Sequence, residues 1–292
     1  MYTSLDVEPV FICNMETFQF QAQGKHYEFK EPIVMGILNV TPDSFYNKGR
    51  NNSLLQLLEQ AHKMVMEGAT ILDIGGMSSR PNATLISEQE EMDRIQPIID
   101  ILANELPSTL LSVDTFRSRI AANAIQAGVH WINDISGGEM DDDMLETIGK
   151  YKAPYVCMHM QGTPQTMQVS PSYQNIVQEL LAFFQKKLDS FQQLGIEDVI
   201  LDVGFGFGKT IAHNYTLLNS LDAFQLLLKP LLVGISRKSM VYKPLKTNAD
   251  EALNGTTALH MIALQKGASI LRVHDVKEAV ECVELWKMLK KA

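Results

Sequence analysis

The 292-residue sequence predicts an α/β protein whose chain closes into a (β/α)8 TIM barrel behind an N-terminal β-hairpin. Three observations predict it. Eight short, almost continuously apolar runs recur along the chain, segments of helical periodicity separate them, and the length is close to that of one such barrel, about 250 residues. Runs that are apolar at every position suit strands covered on both faces, as parallel strands are. An open doubly wound sheet is the other architecture that this alternation allows.

The elements follow in order. "FQFQAQGKHYEF" alternates apolar and polar residues around Gly24 and reads as a β-hairpin, within an extension of residues 10–31 expected to lie across the bottom of the barrel. The apolar runs occupy residues 33–38, 70–74, 109–113, 129–132, 154–158, 199–203, 230–235 and 269–273. Between them, Leu54, Leu57, Leu58, Ala61 and Val65, and later Val276, Ala279, Val280, Val283 and Trp286, recur at helical spacing, so each segment can lay one apolar face on the sheet. Ser53 with Gln56 and Ser87 with Glu90 form capping-box patterns that satisfy free N–H groups at a helix start. No linker or internal repeat interrupts residues 1–292, which are read as one domain.

A net charge of −9 argues against nucleic-acid or anionic-membrane partners, since both bind positive surfaces. Cys13, Cys157 and Cys282 are far apart and form no C-x-x-C pair, which indicates neither a disulfide framework nor a zinc site and fits a reducing compartment. The most apolar late run, "LLLKPLLVGI", is short and broken by Lys229 and Pro230. With no membrane or targeting signal, the expected location is cytoplasmic.

"LDVGFGFGKT" crowds three glycines against a lysine and a threonine, yet it is no nucleotide loop. A P-loop would need glycine at Val203, and the dinucleotide pattern would need glycine at Lys209. The glycines must serve another turn. Each apolar run instead ends in ligand-holding residues: Asn39, Asp73, Asp114, Asn133, His159, Asp202, then Ser236, Arg237 and Lys238, and finally Arg272 and His274. In a barrel these ends share the face where such folds place their chemistry. Singly, each could be a helix cap or turn residue. Arg272 and His274, two apart, share the inward face of their strand while Leu271 and Val273 face the helices. Arg80, Lys209, Arg237, Lys238, Arg272 and His274 would concentrate positive charge at the mouth, which suits a small polyanion such as pyrophosphate. Asp114 and Asp202 could each take two parallel N–H donors from a 2-amino-4-oxopyrimidine ring, as in pterins and guanine. No covalent nucleophile is indicated. His159 reads as a packing or hydrogen-bonding residue.

"MGILNVTPDSF", "DIGGMSSRP", "VDTFR", "INDISGG", "MHMQGTP", "LDVGFGFGKT", "VGISRKSM" and "LRVHDV", in this order from Met35 to Val276, closely resemble the dihydropteroate synthase family. The resemblance implies a transferase of folate biosynthesis that joins 6-hydroxymethyl-7,8-dihydropterin diphosphate to 4-aminobenzoate and releases pyrophosphate. It further implies that Asp114, Asn133 and Asp202 hold the pterin edge, that Lys238 reaches its ring, and that Asn39 coordinates Mg2+. Arg80, Arg272 and His274 would grip the diphosphate, and Ser79, Phe207, Lys238 and Ser239 would line the aminobenzoate pocket. A homodimer is implied as well. In this scheme Gly204, Gly206 and Gly208 let the chain turn tightly below the bound ring.

The sequence departs from the family pattern at Met77, where glutamate is usual, at Ser79 for threonine, at Val203 for proline, and at Lys48 for a small residue. Two other readings compete. A barrel binding a methylated pterin and donating the methyl to a corrinoid protein would share the pterin site but need no diphosphate grip. A noncatalytic pterin-binding paralogue would be expected to have lost a site residue, and every assigned position keeps its chemistry apart from the mild change at Ser79.

Overall fold

The computed structural model describes residues 17–40, 50–77 and 85–292, with the side chains of residues 50–53 outside the description. Residues 1–16, 41–49 and 78–84 are therefore not described, and Cys13, Lys48, Ser79 and Arg80 fall there.

Strands β1 (Phe18–Ala22) and β2 (Lys25–Phe29) form the expected antiparallel hairpin. Gln23 and Gly24 both adopt positive φ, the two-residue turn whose twist matches that of the flanking strands. Eight parallel strands then close a barrel: β3 (Ile33–Asn39), β4 (Ile71–Gly75), β5 (Leu110–Asp114), β6 (Trp131–Asp134), β7 (Tyr155–Met158), β8 (Val199–Asp202), β9 (Leu231–Val233) and β10 (Ile270–Val273), with β10 pairing back to β3. Among the described residues the connections carry α1 (Arg50–Met66), α2 (Glu88–Glu105), α3 (Ser118–Gln126), α4 (Met144–Tyr151), α5 (Ile176–Gln193), α6 (Ile211–Asn219) with a 3₁₀ turn (Leu221–Leu227), α7 (Ser239–Tyr242), α8 (Leu253–Gln265) and α9 (Val276–Lys291). The open doubly wound sheet is thereby excluded. Ser87 caps α2 as expected, its side chain accepting from Glu90 N. Ser53 lies inside α1.

The strands are nearly continuously apolar in their lower halves because two cores claim them. Outward residues such as Leu72, Ile74, Leu111, Val113, Leu201 and Val233 pack with the helices. Inward residues Met35, Ile71, Leu110, Trp131, Val156, Ile200, Leu232 and Ile270 fill the lower barrel, which Phe18, Phe20 and Ala22 of the hairpin seal. Phe20 meets Trp131 edge-on at 4.7 Å, and Gln23 Nε2 donates to Ile125 O and Val129 O, so the hairpin sits across the bottom of the barrel. This plug leaves the opposite end as the one open to solvent.

Candidate active site at the barrel mouth

Side chains alternate along a strand, so the residue two positions beyond each plug residue also faces inward. From Ile71, Leu110, Trp131, Ile200 and Ile270 this rule reaches Asp73, Ser112, Asn133, Asp202 and Arg272, and from Ser112 it reaches Asp114. A polar layer therefore lies directly on the apolar one. Asp73 and Ser112 are fully buried, and Asn133 and Asp202 nearly so.

Arg272 joins three strands. Its Nε donates to Asp73 Oδ2 at 2.6 Å and its Nη2 to Asp114 Oδ2 at 2.8 Å, while Asn133 Nδ2 donates to the same Asp73 oxygen at 3.0 Å. Arg272, expected to grip a diphosphate, is held in place by two carboxylates of the protein itself. Asp73, a strand-end residue in the sequence, thus has the role of anchoring Arg272. The two-residue spacing from Ile71 places it inward just as the spacing from Ile270 places Arg272. Burial pushes the Asp114 carboxyl up to about 7, against the pull of Arg272.

Asp202 divides its oxygens. Oδ1 accepts from Gly204 N at 2.8 Å, so the carboxylate does brace the turn, and burial pushes the pKa of this carboxyl up from its ordinary value, against the pull of Lys238. Lys238 comes in from the loop after β9 and donates from Nζ to Phe205 O at 2.6 Å, and the same ammonium lies 4.7 Å from the centre of the Phe207 ring. Burial brings Lys238 down to about 8. A Cβ placed on Gly234 would lie 3.7 Å from Lys238 Nζ and 4.0 Å from Asp202 Oδ2, and one on Gly75 would lie 3.7 Å from Asn39 Oδ1 and 4.0 Å from Asp114 Oδ2. These two glycines keep the middle of the mouth hollow. An apolar wall of Phe116, Ile135, Met158, Met160 and Met167, with Met77, Met140 and Phe207 against it, stands at the same end.

The glycine-rich loop after β8 has φ of +70° at Gly204, +84° at Gly206 and +61° at Gly208, a region that L side chains rarely adopt. A Cβ on Gly204 would also lie 2.0 Å from His159 O. Gly204→Ala is therefore expected to cost about 3 kcal/mol or more, from backbone strain plus overlap with a carbonyl. Gly195 has φ +69° but nothing near its Cβ direction, so Gly195→Ala should cost only about 1 kcal/mol. Urea unfolding of the two variants checks the difference; equal losses would show that the overlap contributes nothing.

Lys209 is neither solvated nor part of a cationic mouth. It is 3% exposed and donates to His159 Nδ1, His159 O and Phe207 O at 3.1, 3.1 and 2.9 Å, with burial bringing it down to about 7. His159 is the hydrogen-bonding residue expected, kept neutral by burial, which lowers it to about 3. Arg237, also expected at the mouth, instead grips Asp275 through Nε at 2.8 Å and Nη2 at 2.7 Å and donates from Nη1 to Ala249 O and Asp250 O. It braces the loop bearing Lys238. His274 is exposed at the end of β10 with Nδ1 3.0 Å from Ser236 Oγ, and Ser239 opens α7 beside Lys238, half-buried. Asn39 is exposed at the end of β3.

The arrangement brings together Asn39, Asp114, Asn133, Asp202, Phe207, Lys238, Ser239, Arg272 and His274 at one end of the barrel. No described helix is long and apolar enough to cross a membrane. The family model for "pterin binding enzyme" matches residues 35–274. The dihydropteroate synthase of Haemophilus influenzae is 44% identical over 268 residues, which cover 91% of this chain and 97% of the relative. That of Escherichia coli K12 is 42% identical, with 90% and 94% covered. Among solved structures, a Yersinia pestis dihydropteroate synthase in a sulfonamide drug complex superposes with TM-score 0.88 at 43% identity, covering 94% of this chain and 100% of that one. A Xanthomonas albilineans dihydropteroate synthase with 4-aminobenzoic acid superposes with TM-score 0.87 at 34% identity, covering 94% and 98%.

Proposed function

The chain belongs to the pterin-binding enzyme family, among its dihydropteroate synthases, and on that premise we propose how its own residues perform the condensation. The reaction joins 6-hydroxymethyl-7,8-dihydropterin diphosphate to 4-aminobenzoate: the methylene C–O bond breaks with its electron pair leaving on pyrophosphate, the amine nitrogen bonds the methylene, and the nitrogen then loses a proton. An aromatic amine is unprotonated at neutral pH, so the task left to the protein is orientation and charge stabilisation.

The observation that carries this reading is the division of hydrogen bonds in the inward layer. Asn133 spends its Nδ2 on Asp73 and Asp202 spends Oδ1 on Gly204, which leaves Asn133 Oδ1 and Asp202 Oδ2 as acceptors for the N–H edge of a pterin, with Asp114 beside them. Lys238 lies between Asp202 and Phe207 and contacts the ring from the side. Arg272 and His274 would meet the diphosphate, and Arg80, outside the described residues, is assigned to it as well. Phe207, Lys238 and Ser239, with Ser79, receive the aminobenzoate. Mg2+ fits Asn39, whose carboxamide supplies a hard oxygen next to the space left by Gly75; this ion commonly takes few protein ligands and shares substrate phosphate oxygens. When bound it would neutralise charge developing on the departing pyrophosphate.

We read the functional unit as a cytoplasmic homodimer. Ile262, Leu285, Met288 and Leu289 on the packed pair α8 and α9 are exposed apolar side chains that support a partner there. The expected result of a direct assay is pyrophosphate release from the pterin diphosphate only when 4-aminobenzoate and Mg2+ are both present. Release that ignores the amine would count for a hydrolase and against the synthase reading.

A further inference from the structure

The turn that presents Phe207 is secured one carbonyl at a time. Gly204 O accepts from Phe207 N at 3.1 Å, Phe205 O from Lys238 Nζ at 2.6 Å, Gly206 O from Gln168 Nε2 at 2.7 Å, Phe207 O from Lys209 Nζ at 2.9 Å and Gly208 O from Tyr173 Oη at 2.8 Å. Three of these bonds stay within the turn or come from the substrate-facing Lys238. The other two come from the β7–α5 connection, residues 159–175, which carries none of the proposed substrate contacts.

That connection is organised in its own right. Gln161 and Ser172 exchange two hydrogen bonds, Nε2 to Ser172 O at 3.0 Å and Ser172 N to Oε1 at 3.1 Å, which close it at the base. Thr163 N donates to Thr166 Oγ1 at 3.0 Å, tightening its tip. Met167 is buried in the apolar wall that Phe207 packs against, while its neighbour Gln168 is exposed and reaches over to Gly206. At Gly208 the two segments meet backbone to backbone, since a Cβ there would stand 2.5 Å from Gln161 O. The turn is thus gripped from outside at the carbonyls on either side of Phe207.

We propose that the β7–α5 connection is a brace that sets the position of the Phe207 ring, with Gln168 and Tyr173 as positioning residues that determine how well the aromatic amine is bound. The proposal rests on the reading of Phe207 as a wall of the aminobenzoate pocket. Asp202, Asp114 and Asn133 are fixed by their own strands, so a loosened brace moves the amine subsite and leaves the pterin subsite in place. Gln168 is exposed, so its bond adds little to global stability while still orienting what it touches.

The test uses steady-state kinetics with both substrates and pterin binding by calorimetry on the intact enzyme. Gln168→Glu turns the donor into an acceptor facing a carbonyl and should raise KM for 4-aminobenzoate about fivefold to tenfold, with kcat and pterin affinity little changed. Gln168→Lys restores an N–H donor of similar reach and should bring KM back toward the parent value. Tyr173→Phe should raise the same KM. A role in folding alone would lower the melting temperature and scale kcat without moving this KM and without rescue by lysine, and that pattern would overturn the proposal. So would unchanged KM in Gln168→Glu and Tyr173→Phe alike. If the parent protein itself releases no pyrophosphate, it is the synthase reading that fails first, and the brace falls with it.

Discussion

Arg272→Met is expected to lose about 3 to 5 kcal/mol of folding stability together with about a hundredfold or more in turnover, the first from two stranded carboxylates and the second from a missing cation near the leaving group. Asp73 is fully buried and the Asp114 side chain is 11% exposed, so neither can recover its solvation when the guanidinium goes. Methionine keeps the length of the stem, which separates loss of charge from loss of packing. The deficit should also depend on pH. The Asp114 carboxyl sits at about 7 in the folded protein against an ordinary 3.8 in the unfolded chain, so its proton stabilises the fold fully below the lower value, and that stability is lost as pH rises through the upper one. Arg272 opposes the upward shift. Removing it moves the folded value higher still, so parent and variant differ least at about pH 6 and most at about pH 9. Urea unfolding at both pH values, beside a pyrophosphate-release assay, checks this; a variant as stable as the parent throughout would mean that the two carboxylates do not depend on Arg272.

The barrel was legible because burial on both faces makes a short strand apolar almost throughout, which the alternation of a half-exposed strand does not. All eight runs became strands, the ends differing by a residue or two. The alternation in "FQFQAQGKHYEF" was legible as a hairpin for the complementary reason: Phe18, Phe20 and Ala22 are buried between exposed neighbours. Site residues on strands were legible through the same period of two, which places Asn133, Asp202 and Arg272 above Trp131, Ile200 and Ile270.

What spacing does not carry is the choice of partner. Arg272 and Asp73 are 199 positions apart, and Arg237 and Asp275 are 38 apart, so nothing local distinguishes the arginine that enters the site from the one that ties a loop to the start of α9. Lys209 misled for a related reason. A lysine just past a strand end, beside other cations, reads as part of the positive mouth, yet the glycines let the chain fold back so that its ammonium is enclosed by three acceptors. A count of cations at the mouth made from the sequence was therefore too high by Lys209 and Arg237, and the described site is closer to balance: Asp73, Asp114 and Asp202 face Arg272 and Lys238, with Lys209 buried behind them. A balanced cluster suits substrates that bring opposite needs, an N–H edge for the carboxylates and a diphosphate for the cations.

Asp202→Asn is expected to weaken pterin binding at least about tenfold, or roughly 1 to 3 kcal/mol, while the protein stays folded. The geometry makes the amide take one orientation. Gly204 N needs an acceptor at the position of Oδ1, 2.8 Å away, so the carboxamide oxygen must stay there and the NH2 group must replace Oδ2, the oxygen left for the ring. A donor then faces a donor. Flipping the amide would relieve that conflict only by turning the NH2 onto Gly204 N, which moves the clash into the turn and should cost stability instead. The charge lost matters in the same direction, because Lys238 and Lys209 both draw on Asp202 and are left less compensated in the empty site. Calorimetry with a pterin ligand and a melting curve on the same sample read the two consequences separately. Were Asp202 only the cap of the turn before Gly204, asparagine would substitute well and pterin affinity would stay at the parent value; a folded variant with that affinity would remove Asp202 from the pterin site.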